Sequence, residues 1–283
     1  MKVHFDIIVV NFNSGEGLKS TLTSIYEQDY WDYDVFIKDA ESADESLNGL
    51  TKAGFFADEH RSTRTHIYTD KDGGIYDGMN RALSHLKEEK GLGHAQYVIF
   101  LNSGDRFYDR QVLGKAADVI EEKAHDANRP HIFYGDQYND ATKTAVTSAP
   151  KLNEFALFRN VPCHQVCFYD STLFEDRGYD TKYRVRADYE HFLYCVYEKM
   201  ALTVHMDITV SEYEGGGFSE TKNGKNISAE EHKEITDRYM GERALRYRLI
   251  MAMTGAGLRT RIAENPRFAG VYNRIKTGIY KRR

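Results

Sequence analysis

Proline is scarce in this 283-residue chain, with four in all, and there is no low-complexity tract and no internal repeat. That composition argues against a disordered or linker-rich protein. Long apolar runs are missing too. None approaches the roughly 20 residues needed to span a bilayer, and Met1–Asp6 lacks the apolar stretch of a signal peptide. The expectation is a soluble, cytoplasmic chain unless something recruits it to a membrane. Cysteine is limited to Cys163, Cys167 and Cys195. An odd count in a chain this long reads as reduced thiols, not a disulfide framework. Cys163, His164 and Cys167 could suggest a metal site, but no second Cys pair with zinc spacing exists, so structural zinc is not expected.

What the chain does have is aromatics and a divided charge. Twenty Tyr and fifteen Phe accompany a net charge of −5. Residues 241–283 hold eleven Lys and Arg against two Glu, a net +9, which leaves −14 for residues 1–240. A segregated basic segment implies a polyanionic partner: an acidic membrane, a nucleic acid or an acidic protein face. The length allows one large α/β domain or two small ones.

Apolar runs alternate with helical stripes. Phe5–Phe12 reads as a strand around Ile7-Ile8-Val9-Val10, ending in the turn-rich Asn11-Phe12-Asn13-Ser14-Gly15. Leu18, Leu22 and Ile25 then recur at helical spacing over 16–28, with Ser14 as cap. Tyr33–Lys38 is a second strand and His66–Thr69 a third. Ile75, Met79, Leu83 and Leu86 form the next helical stripe, and Gln96–Leu101 is a fourth strand. Alternating strands and helices predict an open, mostly parallel sheet. Asn11, Asn13, Asp39, Asp44, Asp72 and Asp105 all fall at or just after strand carboxyl ends, where ligands of such sheets gather. Carboxylates after three separate strands invite a cation or a polar ligand.

In order and spacing, Ile7–Asn13, Asp39–Asp44, Asp72–Asn80 and Phe100–Asp105 resemble the motifs of family 2 glycosyltransferases. Cys163-His164-Gln165, Ala187-Asp188-Tyr189-Glu190 and Gly215-Gly216-Gly217-Phe218-Ser219 continue the match, which spans about residues 5–220. The likeness is greatest to the branch building bacterial O-antigen and capsular polysaccharides. It implies a GT-A-like α/β fold with helices flanking the sheet. A glycosyltransferase domain would occupy residues 1–220, with a nucleotide half (1–105) and an acceptor half (106–220). A helical, basic extension would occupy 221–283.

The resemblance also implies roles. Asn11 and Asn13 would line the base and ribose pocket, and Asp39 would accept a hydrogen bond from the uracil ring. Asp72 would approach the ribose or sugar, beside Gly73 and Gly74, whose small size allows close backbone approach. Asn102 and Ser103 would join the nucleotide site. Asp105 would hold Mg²⁺ or Mn²⁺, which neutralises charge on the leaving diphosphate. Asn102 and Gly104 stand where the family often has Asp, so one carboxylate remains. His164 and Gln165 would sit near diphosphate or acceptor. Asp188 would be the base that takes the acceptor hydroxyl's proton, with Glu190 the nearest substitute.

Processive members carry a Gln-x-x-Arg-Trp motif, whereas the single tryptophan here is Trp31, so transfer of one sugar is expected. The donor would be a UDP-sugar and the acceptor a saccharide, free or lipid-linked. Beyond Ser219 the likeness fades. Lys222–Asn226 reads as a turn, Ser228 opens a helix, and Leu245, Leu249 and Met253 continue its apolar side. Phe268–Arg283 mixes aromatics and cations in the manner of an anchor on an anionic membrane. No motif for nucleic-acid recognition is present. Two rival readings are a sugar nucleotidyltransferase and a catalytically weakened nucleotide-sugar-binding protein. The first wants a basic Gly-rich loop after the first strand, where this chain has Glu16.

Overall fold

The Ile7–Val10 run becomes the middle of β1 (His4–Asn11), which lies parallel between β2 (Tyr33–Asp39) and β4 (Gln96–Phe100). β3 (Thr65–Thr69) extends this block on the far side of β2, also parallel. Ile7, Ile8, Val9, Phe36, Ile37, Val98 and Ile99 are fully buried. A parallel strand covered on both faces reads in this way as one continuous apolar run. The computed structural model describes residues 2–124, 129–140, 143–213 and 221–254, and the single position 278. The Gly215–Ser219 motif and the Phe268–Arg283 segment therefore lie outside the described residues.

Helices join the strands in the expected alternation. α1 (Gly15–Tyr26) buries Leu18, Leu22 and Ile25. Ser14 does not cap it with its side chain; Asp44 accepts the Gly15 N–H instead, at 3.1 Å. Two short helices follow, α2 (Ser46–Lys52) and α3 (Glu59–Ser62), before α4 (Ile75–Lys90). α4 buries Met79, Leu83 and Leu86, while Ile75 at its start is 44 % exposed and faces the cleft described below. Gly78 lets α4 lie against β1: a Cβ there would stand 2.7 Å from Val10 Cγ1.

The second half is mixed. β5 (Arg106–Phe107) and α5 (Val112–Lys123) lead to β6 (His131–Asn139), β7 (Thr144–Val146) and α6 (Glu154–Arg159). β8 (Cys167–Asp170), α7 (Ala187–Tyr197) and β9 (Leu202–Tyr213) follow. The sheet order is β3-β2-β1-β4-β8-β6-β9-β5, with β7 paired to β6. β8 enters antiparallel to both β4 and β6, yet the long ladders, β1 with β2 and β6 with β9, are parallel. Gln165 and Val166 do not join β8, although their residue types suit a strand, because His164–Val166 form a 3₁₀ turn.

The extension folds as α8 (Lys222–Met240) and α9 (Glu242–Met253). Lys222–Asn226 is thus helical: the Thr221 hydroxyl oxygen accepts the Gly224 N–H at 3.0 Å, and this cap lets the helix begin early. α8 packs on α7, with the His232 ring 5.2 Å from that of Tyr189. α9 packs through Tyr247, whose ring lies 5.3 Å from both Phe155 and Phe158 of α6. Leu245, Leu249 and Met253 are 56–79 % exposed, so the apolar side of α9 faces outward instead of continuing the core.

Candidate active site

The carboxyl ends of β1, β2 and β4 open into a cleft of about 630 Å³, lined among others by Asn11, Phe12, Asp72, Ile75, Asn102 and Ser103. β1 delivers Asn11 and Phe12. The loop before α4 delivers Asp72, and the turn after β4 delivers Asn102 and Ser103. Three separate strand ends therefore share one wall, as a parallel sheet requires.

Asn11 is the hub of that wall. Its amide donates to Asp39 at 2.6 Å and to Ser46 at 2.8 Å, and its Oδ1 accepts from Ser103 at 2.8 Å. Asp39 stands behind it, 3 % exposed, also accepting the Ser42 N–H at 2.8 Å and hydroxyl at 2.7 Å. Asn13 braces the same loop in a left-handed conformation (φ 49°), its Oδ1 accepting the Ala43 N–H at 2.8 Å. Asp44 accepts N–H groups at the starts of α1 and α2.

Asp72 is held from beneath by a residue that periodicity does not reveal. Lys38, fully buried at the end of β2, donates to the Asp72 carboxylate and to the Asp70 carbonyl. A buried ammonium requires such partners. The other Asp72 oxygen accepts the Gly74 N–H at 3.0 Å. Phe12 was likewise missed. It is 65 % exposed at the cleft, whereas most aromatics here are buried. Its place beside Asn11 and Asn13 was the available signal.

Asp105 turns inward. It is 6 % exposed and closes a tight loop, one oxygen accepting the Asn102 N–H at 3.2 Å and the other the Gln165 amide at 3.4 Å. Gly104, at φ +105°, supplies the backbone conformation this loop needs. Two acyl oxygens next to it, Asn102 Oδ1 and Gln165 Oε1, are buried without a hydrogen-bond partner among the described residues. One carboxylate and two orphan neutral oxygens suit a hard divalent ion, at lower charge than a triple-aspartate motif would give.

Asp188 sits in the first turn of α7, where the helix dipole favours a carboxylate. It is not the N-cap, which is Arg186. Its Oδ1 accepts the Tyr189 N–H at 2.8 Å and lies 3.1 Å from the Tyr76 hydroxyl, which also donates to the Val185 carbonyl at 2.9 Å. Its Oδ2 lies 3.3 Å from His164 Nδ1, and His164 Nε2 lies 2.9 Å from the Asn102 amide nitrogen. That pattern fits a neutral imidazole with its proton on Nδ1, donating to Asp188. Burial pushes the Asp188 pKa up, but the His164 contact and the Tyr189 N–H outweigh it and hold the carboxyl below its ordinary range. Asp188 is an ionised acceptor two hydrogen bonds from the cleft wall.

Glu190 does not belong to this group. Its carboxylate is fully buried and gripped by Arg177 through two contacts of 2.9 Å, by Arg238 at 3.2 Å and by the Tyr239 hydroxyl at 2.6 Å. Two residue steps along a helix rotate a side chain by about 200°, so Glu190 faces away from Asp188, ties α7 to α8 and is no substitute base.

The model of the family described as "Glycosyl transferase family 2" matches residues 6–180. A "PGL/p-HBAD biosynthesis glycosyltransferase" of Mycobacterium bovis is 32 % identical over 219 residues, covering 77 % of this chain and 79 % of the relative. An uncharacterized glycosyltransferase of Mycobacterium tuberculosis is 26 % identical over 191 residues, 66 % of each protein. The fold is shared with S. aureus TarS 1–349 in complex with UDP-GlcNAc (TM-score 0.64, 16 % identity, 87 % of this chain and 70 % of that one). It is also shared with the mannosyltransferase PcManGT from Pyrobaculum calidifontis in complex with GDP-Man and Mn²⁺ (TM-score 0.55, 14 % identity, 96 % and 84 %). Among the described residues no helix is long and apolar enough to cross a membrane. With its parallel block, its cleft at the strand carboxyl ends and the family match over more than half its length, the chain belongs to glycosyl transferase family 2 and is a glycosyltransferase of GT-A-like fold.

Proposed function

We propose that the chain transfers one sugar from a UDP-sugar to a saccharide acceptor with inversion at the anomeric carbon. The observation that carries this reading is the Asn102–His164–Asp188 chain, because it joins the wall of the cleft to an ionised carboxylate at 2.9 and 3.3 Å. Such a carboxylate can take the acceptor hydroxyl's proton as that oxygen attacks. With no enzyme nucleophile in the scheme, a single displacement inverts the configuration. The Tyr76 and Tyr189 contacts fix the side chain's orientation.

Asn11, Asn13 and Asp39 hold the base and ribose. A carboxylate accepts about four hydrogen bonds, and Asp39 spends three on Asn11 and Ser42, leaving capacity for the uracil N–H. Exposed Phe12 offers a ring face for the base to stack on. Asp72, anchored by Lys38, addresses the ribose or sugar. Asp105, Asn102 and Gln165 would hold Mg²⁺ or Mn²⁺, which when bound neutralises the charge of the departing diphosphate.

The acceptor is lipid-linked and the enzyme works on an anionic inner membrane face, within surface polysaccharide synthesis. Supporting this are the outward stripe of Leu245, Leu249 and Met253 and the eight Lys and Arg against one Glu that follow α9 in residues 255–283. Thermal stabilisation by UDP-, GDP- and dTDP-sugars, with and without Mn²⁺, tests the donor. The UDP compounds should stabilise most, and Mn²⁺ should add to their effect. Greater stabilisation by GDP or dTDP compounds would assign another base.

A further inference from the structure

The base, if Asp188 is one as proposed above, is held in place from the helical extension beyond residue 220. Glu231 of α8 is 9 % exposed, and its carboxylate accepts three consecutive backbone N–H groups: Arg184 at 2.6 Å, Val185 at 3.0 Å and Arg186 at 2.8 Å. These residues form the approach to α7, and Asp188 follows two positions after Arg186. Arg186 is the N-cap of α7, and Arg184 and Val185 lie just before it, so the turn that leads into the helix takes its hydrogen-bond acceptor from a residue at least 45 positions later in the chain.

Further bonds tighten the grip. Arg186 Nε donates to the Ser228 hydroxyl at 2.8 Å, and the Tyr183 hydroxyl donates to Glu234 at 3.1 Å. On the opposite side, Tyr76 donates to the Val185 carbonyl and contacts Asp188. The segment 183–188 is thus clamped between α4, which borders the donor cleft, and α8 of the extension. An ionised carboxylate binding backbone N–H groups gives short, charge-assisted bonds, stronger than a neutral cap would give.

We propose that Glu231 is a positioning residue for Asp188, and that α8 is therefore part of the catalytic unit and not an appendage beyond residue 220. Its carboxylate fixes the backbone of 184–186, which sets where the Asp188 oxygens stand relative to the cleft. A misplacement of about 1 Å can cost on the order of a hundredfold in rate without touching the chemistry.

The test compares Glu231→Ala, Glu231→Gln and the exposed-site control Lys233→Ala in the full chain. Turnover is release of the nucleoside diphosphate, with water as acceptor, from whichever UDP-, GDP- or dTDP-sugar the unaltered protein cleaves fastest. Glu231→Ala should lower kcat about 10–100-fold while donor KM and UDP affinity stay within about twofold. Hydrogen exchange of the 184–188 amides should accelerate in Glu231→Ala and not in Lys233→Ala. Glu231→Gln, which keeps one acceptor oxygen, should lie between, and it carries the test if the alanine variant does not fold. On an Asp188→Asn background the Glu231 change should add no further loss, since coupled residues are not additive. A folded Glu231→Ala protein with kcat within about threefold, or losses that multiply in full with Asp188→Asn, would overturn the proposal. If Asp188→Asn itself kept near-normal turnover, the base assignment would fall first, a result distinct from an inactive Asp188→Asn beside an active Glu231→Ala.

Discussion

At the amino end of the parallel block, Asp32 meets Lys2 at 2.8 Å and His4 at 2.6 Å, while Asp34 is paired with Lys90 and Asp6 lies 3.4 Å from His4. At the carboxyl end of the same strands, Asp39 and Asp105 are held by amides, hydroxyls and backbone N–H groups. Both ends gather carboxylates, and at the second Lys38 pairs with Asp72 and Arg81 with Asp70, but Asp39 and Asp105 there accept from neutral donors. Ligand atoms of His4, Asp6 and Asp34 lie within 4.8 Å of one another, a constellation that resembles a metal site, yet the Lys90 ammonium already stands against both Asp6 and Asp34. Among the described residues the other end leaves two neutral oxygens, Asn102 Oδ1 and Gln165 Oε1, without hydrogen-bond partners, whereas the oxygen in that state at the first end, Asp6 Oδ1, faces His4 at 3.4 Å and Lys90 at 3.7 Å. Orphaned neutral oxygens beside a cleft, more than the number of acidic residues, distinguish the proposed binding end from the ion-paired end.

That contrast is open to attack at both ends. The largest loss of UDP affinity should come from Asp39→Ala, which removes three internal hydrogen bonds and the proposed uracil acceptor. UDP affinity should fall roughly 10–100-fold, as expected for a lost hydrogen bond to a charged group, in a calorimetric titration of protein first shown to be folded. Next is His164→Ala. Removing a contact that lowers the Asp188 pKa should shift the acid limb of the kcat–pH profile to higher pH, with UDP affinity within about twofold. An unmoved limb would detach His164 from the base.

The smallest effect belongs to the amino end. Burial alone would lower the His4 pKa, but hydrogen bonds to Asp6 and Asp32 raise it above its ordinary value. A raised folded-state pKa gives stability that is fully present below the unfolded-state value, near 6.5. That stability is lost as pH rises through the folded-state value. In His4→Asn this part of the pH dependence should vanish, with the melting temperature at pH 6 falling by roughly 2–4 °C and UDP affinity unchanged. A loss of UDP affinity would break the division between the two ends.

The amino-terminal parallel block was legible because its signals are local. Ile7–Val10, Tyr33–Lys38 and Gln96–Phe100 are apolar runs that stop at polar turns, and the observed strands begin or end within one or two residues of those limits. The second half depends on long-range pairing. Gln165 and Val166 look like strand residues, yet they turn in a 3₁₀ helix that brings the Gln165 amide to Asp105, 60 positions away. The ion-paired end was invisible for the same reason, since His4, Asp32 and Lys90 are far apart in sequence. Lys38 did give a local hint, as a charge inside a buried strand must have a partner. Glu190 shows the converse: a residue inside a motif can face elsewhere.

The account rests on Asp188 acting on the acceptor and not on the nucleotide. Asp188→Asn tests that most directly, with turnover and UDP affinity measured on the same protein sample. The account predicts turnover reduced about 10²–10⁴-fold with UDP affinity within about twofold. Near-normal turnover, or a loss of UDP affinity as large as the loss of rate, would contradict it.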